Sequence, residues 1–253
     1  MNDDLAGRGD PLKSLKLLWE GVEKPKRGPR PKVELASLVR AAIDIADAQG
    51  LGAVSTRRVA EAVGISPMSF YTYIPGKAEL LDLMLDTVSG QDIGEVPEFD
   101  PAQWRANLTL MATGLRDFYL RHPWVIDLAT HRPVLGPGTM IAYELALRVV
   151  DGLGLTPVEM DLVVATIGAF AIGAARPQAQ ARKVREATGL SDDQWWLTIE
   201  PYLQTVDYSP YPVAQRIGPI VGELYGLGDP DMAFKFGIER LLDGFAVLIE
   251  RKA

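Results

Sequence analysis

The segment from Ser55 to Lys77 combines hydroxyl, aromatic and basic side chains, which are groups that proteins use to hold phosphates and to read base edges. A hydroxyl residue at its start can cap a short helix that Gly64 ends, and Ser66 can cap a second helix with Pro67 in its first turn. Two capped helices joined by a glycine turn are typical of a helix-turn-helix, whose second helix enters the major groove of DNA. Ordinary packing hairpins share this spacing.

The second of these helices favours the nucleic-acid interpretation. Its residues suited to burial are Phe70 and Ile74, so its other faces would be exposed. The positions left exposed are Met68, Ser69, Tyr71, Thr72 and Tyr73. A helix with a purely structural role seldom exposes so many aromatic side chains.

Two longer helices are predicted to support this unit. The first covers residues 33–49 and stops at Gly50, and the second covers residues 77–89. Each has one apolar stripe that would face a shared core. The stripes comprise Leu35, Leu38, Val39, Ala42, Ile43 and Ala46 in the first helix, and Leu80, Leu81, Met84, Leu85 and Val88 in the second.

Residues 33–85 resemble the DNA-binding domain of TetR-family transcriptional repressors. The resemblance rests on the runs T-R-R-V-A-E-A-V-G-I-S from residue 56 and F-Y-T-Y-I-P-G-K-A-E-L-L from residue 70. It implies phosphate contacts from Thr56, Tyr71, Tyr73 and Lys77, and places in the groove for Arg57, Pro67, Met68, Ser69 and Thr72. Since proline and methionine cannot form bidentate hydrogen bonds with bases, direct readout would depend on Arg57, Ser69 and Thr72, with apolar contacts to thymine methyls.

The composition excludes several kinds of site. The 253 residues include no cysteine, which excludes disulfides, thiolate zinc sites and cysteine nucleophiles. The two histidines, His122 and His131, lack a metal-binding spacing, and we expect His122 at a helix end with its ring bonded to a carbonyl. The sequence has no phosphate-binding glycine loop after a strand and no nucleophile elbow. We therefore expect no metal, no cofactor and no catalysis.

The chain is expected to be cytoplasmic and to have no membrane partner. Its N-terminus lacks the basic and apolar regions of a secretory signal. The longest apolar run, residues 162–175, is too short to span a bilayer. The amphipathic segment 12–19 could lie on a membrane surface, but it is brief and followed by acidic residues, so we expect it to pack on the protein.

The net charge of −7 is unevenly distributed. Residues 24–77 contain nine basic and four acidic residues, so this part carries +5 and the remainder of the chain −12. A basic head on an acidic body suits a protein that meets phosphate at one end. The Pro- and Gly-rich segment 24–32 is either a flexible arm that follows the DNA backbone or enters a minor groove, or a solvated linker.

From residue 101 onward the extended segments have helical period, which predicts an all-α fold. We divide the chain into a flexible basic N-terminal extension (1–31), a helix-turn-helix domain (32–90) and a larger helical domain for ligand binding and dimerisation (98–253). Pro177 is expected to kink or split the longest helix. The predicted helices cover residues 101–121, 123–130, 138–152, 157–187, 192–204, 213–224 and 229–250.

Two helices of the larger domain carry apolar stripes that suit a homodimer interface. The last helix spaces its stripe at steps of four and three, and the helix from residue 161 alternates bulky with small residues. Most such stripes form the core of one chain, but the resemblance favours an interface, because TetR-family repressors dimerise through two helices of each subunit. The candidate interface residues are Ile167, Phe170, Phe234, Ile238, Leu241, Phe245 and Leu248.

Aromatic side chains of the same domain are numerous enough to line a ligand cavity, although each one alone is more often a core residue. The candidates are Tyr119, Trp124, Tyr143, Phe170, Trp195 and Trp196. The resemblance implies a small-molecule inducer that favours a conformer in which the two heads no longer fit successive major grooves.

The sequence therefore predicts a dimeric repressor of a pseudo-palindromic double-stranded DNA operator, released by an inducer. Two alternatives stay open. One is a DNA-binding activator, since the sign of regulation depends on the position of the operator. The other is a helical ligand-binding protein whose head does not read DNA.

Overall fold

The structure, a computed structural model, describes residues 9–22, 33–91, 93, 98–128 and 132–251. Within these residues the regular structure is helical and contains no strand, which confirms the all-α prediction. The basic segment 24–32 and His131 lie outside the described residues. The α-helices of the described chain are α1 (Pro11–Glu20), α2 (Leu35–Gln49), α3 (Thr56–Ala62), α4 (Pro67–Phe70), α5 (Lys77–Gly90), α6 (Trp104–Arg121), α7 (Trp124–Leu128), α8 (Pro137–Val150), α9 (Pro157–Thr188), α10 (Asp192–Leu203), α11 (Pro212–Tyr225) and α12 (Pro230–Glu250).

Helices α2 to α5 form a unit that we call the head, and its boundaries follow the predicted caps. The Ser55 side chain accepts a hydrogen bond from the Arg58 amide at 3.2 Å and caps α3. Gly64 has a φ of +73°, a left-handed conformation that lets the chain turn sharply towards α4. The Ser66 side chain caps α4 by accepting from the Ser69 amide at 3.1 Å. The helix-turn-helix predicted from the sequence is therefore formed.

The head has an enclosed core. Phe70 and Ile74 are completely buried, and they pack with the apolar stripes of α2 and α5. Leu38 and Met84 represent those two stripes and are also completely buried. Full burial of one such side chain contributes roughly 1.5–3 kcal/mol, so these four residues supply a large share of the stability of a unit this small.

Helices α6 to α12 form the body, whose core lies between α6, α8, α9 and α12. Leu108, Val150 and Ile167 are buried there. Phe170 of α9 stacks on Phe234 of α12 with ring centroids 5.3 Å apart. Gly237 leaves room for this stack, since a Cβ at that position would lie 2.5 Å from the Phe170 ring.

Three local features differ from the sequence predictions. Helix α6 begins at Trp104, because residues Pro101–Gln103 form a 3-10 turn capped by the Asp100 side chain. Helix α9 continues through Pro177, where proline removes only one backbone hydrogen bond from a helix 32 residues long. His122 ends α6 as expected, but its ring pairs with the carboxylate of Asp47 and not with a carbonyl.

Helix α9 also has an unusual composition. One 18-residue window in it has a mean hydropathy of 1.7, so by length and composition alone it could cross a membrane, and 22% of that window is buried. The expectation that no apolar segment reaches this length is therefore wrong for α9, because its few charged residues do not break the apolar window. Much of its apolar surface is left uncovered by its own chain.

Buried polar contacts join the head to the body. The Asp86 carboxylate of α5 accepts hydrogen bonds from the amides of Gly138 and Thr139 at 3.0 and 2.8 Å, and from the Thr139 hydroxyl at 2.8 Å. Asp86 thus caps α8 from another helix. Asp47 of α2 accepts from the Trp124 indole at 2.6 Å. The head is therefore fixed to the body through both α2 and α5.

Candidate nucleic-acid interface and ligand cavity

The helix-turn-helix presents its predicted face to solvent. Met68 is 77% exposed and Tyr71 is 50% exposed, whereas Phe70 between them is buried. Pro67 and Thr72 are also exposed. The core thus holds this short helix by Phe70 alone on its inner side and leaves the neighbouring side chains accessible to a partner.

The hydroxyl groups predicted to hold phosphates lie near each other. Thr56 at the start of α3 and Tyr71 after α4 share a hydrogen bond of 3.3 Å between Thr56 Oγ1 and Tyr71 Oη. Tyr73 packs partly against the head core, and Lys77 is the first residue of α5. Hydroxyl and ammonium donors grouped in this way are suited to phosphate oxygens.

Arg57 is exposed in the first turn of α3 and forms an ion pair with Glu61, with 2.8 Å between Nε and Oε1. The hydrogen bond with Glu61 and its charge raise the pKa of Arg57, so the guanidinium stays charged. Because both side chains are exposed, the pair adds little to stability, and Arg57 is able to exchange Glu61 for a base edge or a phosphate. The neighbouring Arg58 has a structural role, since it donates to the Ala53 carbonyl at 3.1 Å and to Gln49 Oε1 at 2.8 Å.

Ser69 and Thr72 are engaged within the turn. Ser69 Oγ lies 2.8 Å from Ser66 Oγ, and Thr72 Oγ1 donates to the Ser69 carbonyl at 2.6 Å. A hydroxyl that donates still carries acceptor lone pairs. In this geometry Thr72 is therefore positioned to accept a hydrogen bond from a base amino group.

The body contains a cavity of about 670 Å³ between the end of α5, α6 and α8, a volume typical of small-molecule sites. Its wall is mainly apolar, with a few polar groups. The lining residues are Val88, Ser89, Gln91, Ile93, Phe99, Asn107, Leu110, Met111, Gly114, Leu115, Phe118, Tyr119, Arg121, Ala142, Leu145, Ala146 and Val149. Leu110 is 67% exposed, so the cavity has an open side at α6.

The structure places one of the six predicted aromatic residues, Tyr119, in the cavity wall. The others are Trp124 at the head–body junction, Phe170 against Phe234, Tyr143 on α8 with its hydroxyl 2.8 Å from Asp161 Oδ1, and Trp195 and Trp196 exposed on α10. These five lie outside the wall of this cavity. Their role as ligand contacts stays a prediction, and we do not include them in the site described below.

Sequence reasoning missed most of the cavity wall. Met111 and Leu115 in α6 and Leu145 in α8 follow helical apolar spacing, which looks the same whether it lines a cavity or fills a core. Asn107 gives a usable signal, because it places an amide one turn before Met111 on the same face of α6.

The cavity contacts the head through the end of α5. Ser89 and Gln91 belong to its wall, and Gln91 Oε1 accepts a hydrogen bond from Arg40 of α2 at 3.3 Å. Burial raises the pKa of Tyr119, so its phenol is protonated at neutral pH and able to donate. A molecule in this cavity would touch residues that are bonded directly to the head.

The predicted dimer residues fall into two groups. Ile167, Phe234 and Ile238 are buried in the core of a single protomer. The second group is half-buried and comprises Phe170, Leu241, Phe245 and Leu248. Other apolar residues of the same two helices are exposed, namely Val158, Leu162, Met232, Phe236 and Val247. The uncovered face of these helices is thus rotated from the predicted stripe, because the longest-range apolar spacing serves the protomer core.

Helices α10 and α11 leave most of their residues exposed. The exposed apolar side chains include Trp195, Trp196, Leu197, Tyr202, Val213, Ile217, Ile220 and Leu224. Monomeric soluble proteins rarely expose this much contiguous apolar surface, which indicates that another molecule covers these helices.

Comparisons with known sequences agree with this architecture. Residues 38–84 match the family described as bacterial regulatory proteins, tetR family, and residues 96–249 match the tetracyclin repressor-like C-terminal domain. The chain is 39% identical over 256 residues to the HTH-type transcriptional repressor DrrR1 of Streptomyces coeruleorubidus, covering 98% of this chain and 90% of that protein.

Solved structures share the fold over most of the chain. Apo ActR from Streptomyces coelicolor aligns with a TM-score of 0.70 and 26% identity, covering 89% of this chain and 100% of that one. ActR in complex with actinorhodin aligns with a TM-score of 0.68 and 28% identity, covering 84% of this chain and 95% of that one.

Proposed function

This chain belongs to the TetR family of bacterial transcriptional regulators, and from that premise we propose that it is a homodimeric repressor released from its operator by a small molecule bound in the body. One observation carries the proposal. The cavity wall includes the end of α5, the same helix that supports the helix-turn-helix from behind. A ligand and an operator would therefore act on one continuous helix.

For the operator, we assign phosphate contacts to Thr56, Tyr71, Tyr73 and Lys77. Base edges would be met by Arg57, Ser69 and Thr72, with Pro67 and Met68 against thymine methyls. The exposure of Met68 and Tyr71 supports this assignment, as does the exchangeable pair of Arg57 with Glu61. Paired recognition helices of a dimer would read two half-sites of an inverted repeat.

For the inducer, we propose a mainly apolar molecule with a small number of hydrogen-bonding groups. The wall supplies Phe99, Phe118 and Met111 for apolar contact, and Asn107 and Tyr119 for hydrogen bonds. A binding site of this kind gains most of its affinity from apolar burial and its orientation from a few polar groups. The complex of the related ActR with actinorhodin supports a ligand-responsive role for this architecture.

For the dimer, we propose that the exposed apolar faces of α9 and α12 pair with those of a second copy, and that α10 and α11 are covered in the same assembly. The exposed residues Leu162, Phe236 and Val247 support this arrangement. Pairing would bury the apolar window of α9 that the protomer leaves open. A protein-covered α9 also fits our proposal that the protein acts in the cytoplasm, without a catalytic role.

For the switch, we propose a shift between two populations. Ligand in the cavity pushes on Ser89 and Gln91, and the bonds of Asp86 with α8 and of Gln91 with Arg40 carry the displacement to α5 and α2. The heads of the dimer then take a separation that no longer fits successive major grooves, so affinity for the operator falls.

The test is release from an operator duplex selected with the purified protein, with actinorhodin as the first compound titrated. Gly114→Leu projects a side chain into the cavity, where a Cβ would meet open space. Ala106→Leu, on an exposed position of the same helix, is the control. A compound that releases wild type and the control but not Gly114→Leu supports the proposal. Release of all three proteins by the same compound would contradict the assignment of the cavity.

A further inference from the structure

Helix α1, which precedes the head, is held firmly on α5. Ser14 Oγ donates a hydrogen bond to Asp82 Oδ2 at 2.6 Å, and both residues are buried. The Asp10 amide donates to Glu79 Oε1 at 3.2 Å. A buried hydrogen bond to a charged group fixes the register of two helices, because an unpaired carboxylate in that position would be costly.

The far end of α1 reaches the body. The Trp19 indole donates to the Leu135 carbonyl at 2.9 Å, and Leu17 and Leu18 pack against the head core. Helix α1 is therefore attached at both ends, and the side chains on its outer face are presented at fixed positions.

The outer face of α1 carries two lysines beside the tyrosines of the helix-turn-helix. Lys13 and Lys16 are one turn apart and exposed. They line a cleft of about 300 Å³ whose opposite wall is formed by residues 71–73 and Pro75. Tyr71 and Tyr73 are thus shared between the proposed phosphate contacts and this cleft.

The charges of the cleft favour an anionic partner. The Lys13 ammonium lies 3.7 Å from Asp10 Oδ2, in an exposed pair that water and salt weaken. Lys16 has no ion-pair partner among the described residues. The carboxylate of Asp82 lies beneath the helix and is engaged by Ser14, so it does not face the outer lysines.

We propose that Lys13 and Lys16 form a further DNA-binding site, which holds backbone phosphates next to those held by Tyr71 and Tyr73. The partner is the duplex already assigned to the helix-turn-helix, because the cleft is continuous with that surface and of complementary charge. The site carries no sequence information, since an ammonium held at a phosphate does not read bases. Helix α1 is then part of the DNA-binding surface as well as a link between head and body.

The inference rests on the proposed function, and the experiment separates the two. Affinity for two duplexes of equal length, one recovered by selection and one of random sequence, is measured as a function of salt concentration. The double variant Lys13→Gln/Lys16→Gln is compared with wild type and with Arg182→Gln/Arg185→Gln, which removes two exposed positive charges from α9. Lys77→Ala serves as the reference for the helix-turn-helix.

Loss of two phosphate contacts should reduce the slope of log K against log salt by about 1.8. The loss should be equal on both duplexes, with the ratio of specific to non-specific affinity unchanged, and the α9 control should behave as wild type. A wild-type slope in the Lys13/Lys16 variant, with a reduced slope in Lys77→Ala, overturns this inference and leaves the proposed function standing. Wild-type slopes in both variants overturn both. A fall equal to that of the α9 control would show a general charge effect and would also overturn the site.

Discussion

The head and the body differ in how far each is completed by its own chain. In the head, the apolar residues of α2, α4 and α5 meet in one enclosed core, and Phe70, Ile74 and Met84 are completely buried. In the body, apolar residues of α9 to α12 remain exposed, and others line a cavity. The head is thus a self-sufficient reading unit, whereas the body is built to be completed by a second copy and a ligand.

The largest effect should come from breaking the head core. Phe70→Ala is expected to cost about 3–5 kcal/mol, because it empties a completely buried site at the centre of the head. Met68→Ala, two residues earlier and 77% exposed, should leave stability within about 0.5 kcal/mol of wild type. Urea unfolding followed by circular dichroism measures both. Similar losses for the two variants would mean that α4 does not sit on the core as described.

A second test concerns completion of the body by a partner copy. Leu162→Asp places a charge on the exposed apolar face of α9, and in a two-fold dimer the change counts twice. We expect the dimer to dissociate at concentrations at least roughly 30-fold higher than wild type, since about 2 kcal/mol is lost for a charge buried against apolar surface. Sedimentation equilibrium gives the dissociation constant. Leu12→Asp on α1, equally exposed, is the control and should remain dimeric.

A third test compares two glycines of the body. A Cβ at Gly138 would lie 2.0 Å from the Asp86 carbonyl oxygen, so Gly138→Ala should force α8 away from α5 and cost roughly 1–3 kcal/mol. Gly114 meets nothing within 4 Å, so Gly114→Ala should gain about 0.5–1 kcal/mol from better helix propensity. Opposite shifts in melting temperature are expected. Shifts of the same sign would mean that the close approach of α5 and α8 is relaxed in solution.

The smallest effect belongs to the reading surface. Lys77→Ala should reduce the salt slope of operator binding by about 0.9, the value for one phosphate contact, without loss of stability. Tyr71→Phe removes one hydroxyl donor and should weaken binding by about 1 kcal/mol at constant salt slope. A change in slope for Tyr71→Phe, or none for Lys77→Ala, would reverse the roles we assign to the two side chains.

The same comparison explains what the sequence could predict. Capping hydroxyls, Gly64 and the stripes of α2 and α5 are local signals, so the head could be outlined from its residues to within a few positions. The partners that join distant segments could not be predicted. Ser14 with Asp82 and His122 with Asp47 are 68 and 75 residues apart, and nothing local specifies either pair.

The body could be predicted as helices but not as surfaces. Apolar spacing on α6 and α8 is the same for a core as for a cavity wall, and Ile167, Phe234 and Ile238 serve the protomer core in place of the predicted interface. Which face a helix leaves open depends on how the other helices pack against it, and that information is distributed over the whole chain.

The most direct test of the account is selection of genomic fragments by the purified protein at near-physiological salt, followed by footprinting of the enriched DNA. The account predicts protection of an inverted repeat whose half-sites are read by the two heads of one dimer. Salt-sensitive binding without an enriched sequence, or protection of a single half-site, would contradict a dimeric reader and would leave the head as a basic surface without readout.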